Sequence, residues 1–223
     1  MQRLAQLVER LALLHNRLYA ESTRAVLLVL QGMDASGKDG TIRNVLTGVN
    51  PQGCRIVNFR PPAGAELAHD YLWRVHAVCP AHGEIGIFNR SHYEDVVAAR
   101  VRELVQEKVW KRRYEHIRGF ERLLTDEGTT LLKVFLHVSR DEQARRLDER
   151  RKDPEKRWKF DPGDLADRER WPQYMRAYED AIRETSTDWA PWYVVPADHN
   201  WARNLSVAAL LVATLERLDP KLP

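Results

Sequence analysis

Residues 32–38, Gly-Met-Asp-Ala-Ser-Gly-Lys, have the Gly-x-x-x-x-Gly-Lys spacing of a loop that wraps an anion. Gly32 and Gly37 permit positive φ, so successive backbone N–H groups can turn inward around a phosphate chain. Lys38 adds a mobile full charge. Thr41, Ile42, Val45 and Leu46 then read as the first turns of a helix, whose N-terminus supplies unpaired N–H donors and about half a positive charge. The candidate phosphate-binding set of this Walker A-like loop is Gly32, Ser36, Gly37, Lys38, Asp39, Gly40 and Thr41. Where such loops carry Ser or Thr after the lysine, this chain has Asp39, and a second carboxylate, Asp34, lies inside the loop. Two carboxylates in a phosphate cradle repel the ligand unless a cation sits between them. That points to Mg2+, with Asp34 and Asp39 as the metal-binding pair and substrate phosphates completing the shell.

A second polar cluster, Asn89-Arg90-Ser91-His92-Tyr93-Glu94-Asp95, follows the apolar run Ile85-Gly86-Ile87-Phe88. It stands where a Walker B acid would sit, but its first residue is an amide. Asn89 can orient a water or a phosphate and is a poor metal anchor. Arg90, planar and always charged, suits a two-pronged grip on phosphate. Ser91 and Glu94 have the spacing of a helix capping box, and His92 reads as a surface or boundary histidine. Between Arg140 and Arg170 the chain is dense in bases, among them Arg145, Arg146, Arg150, Lys156 and Lys159, nearly balanced by acids. Charge alone makes this a solvated helix pair. Its place after a fourth strand suits a lid that brings cations onto a transferred phosphoryl group.

The elements that must hold these residues read as an alternation of strands and helices. Apolar runs predict strands over 24–31, 55–60, 84–89, 131–138 and 192–196. Leu4, Leu7, Leu11, Leu14 and Leu18 predict an amphipathic helix before the first strand. Trp110, Tyr114, Ile117, Phe120 and Leu124 predict another, stopped at Gly128. Trp201, Leu205, Ala208, Val212, Leu215 and Leu218 predict a third. The expected fold is α/β: a P-loop kinase-like parallel sheet of about five strands, with helices on both faces and ligands beyond the strands' carboxyl ends. The expected organisation is a single domain over residues 1–223 with a helical lid subdomain at about 140–170.

At 223 residues, 43% hydrophobic and 30% charged, the composition is that of a globular protein rather than a disordered chain. A net charge of +3 argues against a surface built to coat nucleic acid. No apolar run approaches the ~20 residues of a membrane span, and the leucines of the first helix are too interrupted for a signal peptide, so a cytoplasmic location without membrane attachment is expected. Cys54 and Cys79, alone and far apart, read as reduced, buried thiols.

Three stretches together resemble the polyphosphate kinase 2 family: residues 32–43, residues 48–54 (Gly-Val-Asn-Pro-Gln-Gly-Cys) and residues 88–96 (Phe-Asn-Arg-Ser-His-Tyr-Glu-Asp-Val). Residues 153–160 resemble that family's lid, and residues 190–198 its last strand. Asn-Arg-Ser-His-Tyr-Glu-Asp is similar to class III, whereas other classes carry Asp-Arg-Ser-Trp-Tyr-Asn. The resemblance implies phosphoryl transfer from inorganic polyphosphate to AMP and ADP, reversible and yielding ATP, in a homo-oligomer. It implies that Asp34, Lys38 and Arg90 are catalytic, with Asp34 holding Mg2+ and Asp39 assisting. It further implies that Asn89 and Glu94 serve the nucleotide, and that Arg43, Arg150, Lys156 and Lys159 line the polyphosphate path. The residues alone leave two alternatives: an ATP-dependent nucleoside or nucleotide kinase, and a polyphosphate-binding module without turnover.

Overall fold

The structure, a computed structural model, describes residues 2–155, 157–159 and 161–223, apart from the side chain of residue 159. In chain order the elements are α1 (Gln2–Glu21), β1 (Ala25–Gln31), α2 (Lys38–Val45), β2 (Cys54–Asn58), α3 (Trp73–His76), β3 (Ile85–Asn89), α4 (Ala98–Val101), α5 (Glu107–Asp126), β4 (Thr129–His137), α6 (Arg140–Lys152), α7 (Pro162–Glu169), α8 (Trp171–Thr185), β5 (Trp192–Pro196) and α9 (Asn200–Leu218). Short 3-10 turns interleave at Pro51–Gly53, Gly64–Ala68, His92–Asp95 and Arg157–Lys159.

The strands form one parallel sheet in the order β2-β3-β1-β4-β5. β1, Ala-Val-Leu-Leu-Val-Leu-Gln, is buried along its whole length, as a central strand covered on both faces must be. Its neighbours β3 and β4 come later in the chain, so the strand order reverses at β1 and opens a crevice at its carboxyl end. α1, α2 and α9 pack together, and α4, α5 and α8 form a second packed group. Leu11, Leu14 and Leu18 place the buried face of α1 in the core, each contributing about 1.5–3 kcal/mol.

The predicted strands are all present, with ends shifted by at most two residues. β2 stops at Asn58, opposite Asn89 where its partner β3 ends, and Pro61 and Pro62 follow. β4 starts earlier than expected, at Thr129, directly after Gly128 takes φ +89° beyond the end of α5. Two details differ from the sequence reading. Trp201 is 67% exposed, because α9 instead turns Arg203, Asn204, Val207, Ala208 and Leu211 inward. Cys54 and Cys79 are free thiols but only half-buried at the sheet margin, their pKa values pushed up by burial to about 11 and about 12. Residues 140–170 leave the sheet after β4 as α6 and α7, and α8 carries the chain back to β5.

Candidate active site

The glycine-rich loop leaves β1 with backbone angles that explain its glycines. Gly32 has φ +150°, and a Cβ there would lie 2.6 Å from the Leu136 carbonyl oxygen. Gly37, at φ +97°, is the left-handed cap of α2, and a Cβ would fall 1.9 Å from Arg203 Nη1. Lys38 folds back over the loop, its Nζ donating to the carbonyls of Gly32 at 2.7 Å and Met33 at 3.2 Å. Burial, then Arg90, pulls the Lys38 pKa down to about 8. Ser36 and Thr41 are fully buried, and neither is among the residues lining the larger cavity. Thr41 Oγ1 donates to the Gly37 carbonyl at 3.1 Å, so it braces the loop's exit into α2.

Register does the rest. Leu30 pairs with Asn89, and Arg90 N–H donates to the Leu30 carbonyl at 3.0 Å, so the end of β3 emerges beside the loop. Arg90 takes φ +63° and pairs directly with Asp34. Burial raises the Asp34 carboxyl, but Arg90 and Lys38 outweigh it and hold the group below the usual carboxylate range. Burial lowers the Arg90 pKa, but Asp34 and Glu94 raise it further, so the guanidinium stays charged. Asn89, expected to serve a nucleotide, lines the larger cavity beside the loop. Its Nδ2 donates to Asp39 Oδ1 at 2.8 Å and Asn58 Oδ1 at 2.7 Å, which makes it the residue that orients Asp39.

Ser91 caps the turn over His92–Asp95 by accepting from Tyr93 N–H, not from Glu94 N–H as the expected box requires. The Glu94 carboxylate instead meets the Gln31 amide, which in its better-satisfied orientation donates to Glu94 Oε1 at 3.1 Å and accepts from Ser91 N–H. His92 is wholly buried, not at the surface, because Glu121 of α5 accepts its Nε2 at 3.3 Å.

Three contributors were not singled out from the sequence. Asp164 of α7 reaches Asp34 carboxylate to carboxylate, and burial, then Asp34, pushes its pKa up to about 7. Arg203 of α9 is 2% exposed and donates to Asn200 Oδ1 at 2.7 Å, Asn204 Oδ1 at 3.0 Å and the Ser36 carbonyl at 3.4 Å. No ion-pair partner for it occurs among the described residues, and burial, then Arg146, lowers its pKa to about 10. Arg146 of α6, part of the basic segment, donates to the Ala35 carbonyl at 2.9 Å. Asp164 was hidden in a stretch of balanced charge. Asn200, Arg203 and Asn204 do leave a sequence signal, a polar i, i+3, i+4 stripe on an otherwise apolar helix.

Two cavities meet at this point. The larger, about 1270 Å³, is lined by Lys38, Asp39, Gly40, Arg43, Arg150 and Arg203, among others, with Arg43 exposed at its rim. The smaller, about 400 Å³, has Glu94, Ala98, Leu104, Arg102, Tyr174 and Tyr178 in its wall. Arg102 Nη2 and Asp167 Oδ2, 2.5 Å apart, tie α7 across that pocket. Asp34 and Arg90 line both cavities. Arg150 Nη1 lies 3.7 Å from Asp164 Oδ2. Lys156 and the Lys159 side chain lie outside the described residues.

Among the described residues no three His, Cys, Asp or Glu side chains form a metal cage. That suits Mg2+, which takes one or two carboxylates and leaves its other positions to water and phosphate oxygens. Asp34 and Asp164, held together among cations, fit such a site, with Asp39 beside them.

A parallel sheet whose central strand runs into a Gly-x-x-x-x-Gly-Lys loop, with an arginine delivered by the adjacent strand, defines a P-loop phosphotransferase fold. The family profile described as polyphosphate kinase 2 matches residues 1–223. A Meiothermus ruber protein named AMP/ADP-polyphosphate phosphotransferase is 60% identical over 223 residues, covering 100% of this chain and 84% of that protein. A Rhodopseudomonas palustris protein named ADP-polyphosphate phosphotransferase is 45% identical, covering 97% and 79%. The crystal structure of polyphosphate kinase 2 from Arthrobacter aurescens TC1 superposes with a TM-score of 0.96 at 43% identity, covering 99% of this chain and 79% of that one. The chain belongs to the polyphosphate kinase 2 family.

Proposed function

We propose that this protein transfers the terminal phosphoryl group of inorganic polyphosphate to AMP and to ADP, reversibly, with Mg2+ as cofactor. The observation that carries the reading is the shared wall: Asp34 and Arg90 line both the large cationic cavity and the smaller, more enclosed pocket. A chain of phosphates suits the first, whose cations could track a polyanion. A nucleoside with one or two phosphates suits the second, which combines apolar and aromatic walls with Glu94. The names borne by the two bacterial relatives point to the same donor and acceptors.

The acceptor needs little base catalysis, because a nucleotide phosphate is already largely ionised at neutral pH, with a second pKa of about 6. As its oxygen bonds to the terminal phosphorus, the bond from that phosphorus to the bridging oxygen breaks, and the shortened chain leaves with the electron pair. Arg90 stands between donor and acceptor and neutralises both, while Lys38 trades the loop carbonyls for phosphate oxygens. Arg43 and Arg150 hold the chain further out. Asp34 and Asp164 would hold Mg2+, with Asp39 assisting; the ion supplies further charge neutralisation on phosphate oxygens. Residues 140–170 act as the lid, since α6 and α7 bring Arg146, Arg150 and Asp164 over the loop.

The reading extends to a cytoplasmic homo-oligomer that binds neither nucleic acid nor membrane. Self-association is supported by the exposed apolar side chains of Val194 on the edge strand β5 and Trp201 on α9, 57% and 67% exposed; light scattering checks it. Among the described residues no helix is long and apolar enough to cross a membrane. The deciding experiment supplies AMP or ADP with Mg2+ and either polyphosphate or ATP as sole donor. ADP and ATP formed from polyphosphate support the reading. Turnover with ATP alone replaces it with a conventional nucleotide kinase, and binding without product replaces it with a polyphosphate-binding module.

A further inference from the structure

Away from both cavities, a charged network is sealed in the core. Glu121 of α5 and Lys133 of β4 are 0% exposed, and Lys133 Nζ donates to Glu121 Oε2 at 2.6 Å and to the Thr185 carbonyl at 2.7 Å. Tyr93 Oη donates to Glu121 Oε1 at 2.7 Å and lies 3.2 Å from Lys133 Nζ. His92 Nε2 shares the same Oε1 at 3.3 Å. Trp192 Nε1 donates to Thr185 Oγ1 at 2.9 Å, and that oxygen is 3.0 Å from Tyr93 Oη. A buried ion pair is an expensive way to hold a core together, because apolar residues of the same volume hold it as well or better. Its retention asks what else the network fixes.

What it fixes is the backbone after β3. Tyr93 and His92 follow Arg90 and Ser91 directly, and Arg90 sits at φ +63°, a left-handed conformation that a side chain tolerates only where its surroundings impose it. Ser91 is fully extended and accepts from Tyr93 N–H, so the turn beginning at His92 is rigidly joined to Arg90. From above, Arg90 N–H is tied to β1. From below, Glu121 holds the two side chains that follow.

We propose that Glu121, supported by Lys133, is a positioning residue for phosphoryl transfer: it pins His92 and Tyr93 and so holds Arg90 in the conformation that delivers its guanidinium to Asp34. The inference rests on the phosphoryl-transfer reading above for its kinetic consequence and on geometry alone for its structural one. Glu121 touches no substrate.

The test replaces the pair by apolar residues, Glu121→Leu with Lys133→Met, and compares it with Glu121→Gln with Lys133→Met, which keeps a carbonyl for Tyr93 and His92. The leucine-methionine variant is expected to fold and to lose about tenfold or more in kcat with the AMP KM changed less than about threefold, the signature of a transition-state effect. The glutamine-methionine variant is expected to recover most of that kcat. In an Arg90→Lys background the leucine-methionine change is expected to add nothing, because both act through one group. A well-folded leucine-methionine variant with kcat within about twofold of native, or losses that multiply with Arg90→Lys, overturns the proposal. Should that variant not fold, Tyr93→Phe removes the hydroxyl alone and is expected to lower kcat selectively; an unchanged kcat overturns the proposal. Should the native protein lack turnover with polyphosphate, the functional reading fails separately. The positioning is then read from the Arg90 side-chain NMR resonance, which shifts in the leucine-methionine variant if the proposal holds and stays fixed if it does not.

Discussion

Gly37→Ala tests the geometry of the phosphate loop without replacing a charged residue. The added Cβ would stand 1.9 Å from Nη1 and 2.5 Å from Cζ of Arg203, well inside any contact that real Cβ atoms make. The guanidinium must therefore move, and it is 2% exposed and bound to Asn200, Asn204 and the Ser36 carbonyl. Losing one charged hydrogen bond costs about 1.5–3 kcal/mol. Holding alanine at φ +97° adds about 1–2 kcal/mol. The variant should be destabilised by about 3–5 kcal/mol, a fall in Tm of roughly 6–20 °C for a domain of this size. Thermal melts of Gly37→Ala in the native and in the Arg203→Ala background separate the two contributions. With the guanidinium gone only the backbone cost remains, so the same glycine change should then cost about 1–2 kcal/mol. An equal cost in both backgrounds would refute the overlap as the cause.

Lys38→Ala and Arg90→Ala should each lower kcat by about 10² to 10³ with near-native melts, as removal of a transition-state cation does; a folded variant with retained turnover removes that residue from the mechanism. Asp164→Asn takes one carboxylate from beside Asp34 and should raise the Mg2+ concentration needed for half-maximal rate while leaving Tm unchanged or higher; an unaltered Mg2+ titration places the metal elsewhere. Cys54 and Cys79 keep their protons in the native state up to about 11 and about 12, whereas the unfolded thiols ionise near 9.0. Their contribution is therefore intact below pH 9 and is lost as pH climbs toward 11. Cys54→Ala with Cys79→Ala should flatten the alkaline decline of Tm, and an identical decline would show that other groups cause it.

The loop was legible because its chemistry and geometry lie in one short stretch, where glycine spacing, lysine and the following helix each point to the same turn. Arg90 was legible because it ends an apolar run, and a parallel strand delivers whatever follows it to the carboxyl edge. The residues that were missed act across the sequence. Asn89 was read as serving the nucleotide, but the partners that fix its amide, Asp39 and Asn58, are 50 and 31 residues away and invisible locally. His92 was read as a surface or boundary residue because nothing local marks Glu121, 29 positions later, as its acceptor. Asp164 is indistinguishable in sequence from the acids that merely balance the bases of α6, and only the path of α7 back toward the loop sets it apart.

Arg203 stands 167 residues after Ser36, the loop residue whose carbonyl it holds. At synthesis rates of about 5–20 residues per second, roughly 10–30 s separate the two on the ribosome. For that interval the glycine-rich loop exists without the guanidinium that backs Gly37, and β1 waits for β4 to complete its pairing. The phosphate cradle is thus among the last parts of the molecule to be finished. A nascent chain emerging among abundant nucleotides carries the signature of the site well before it carries the site.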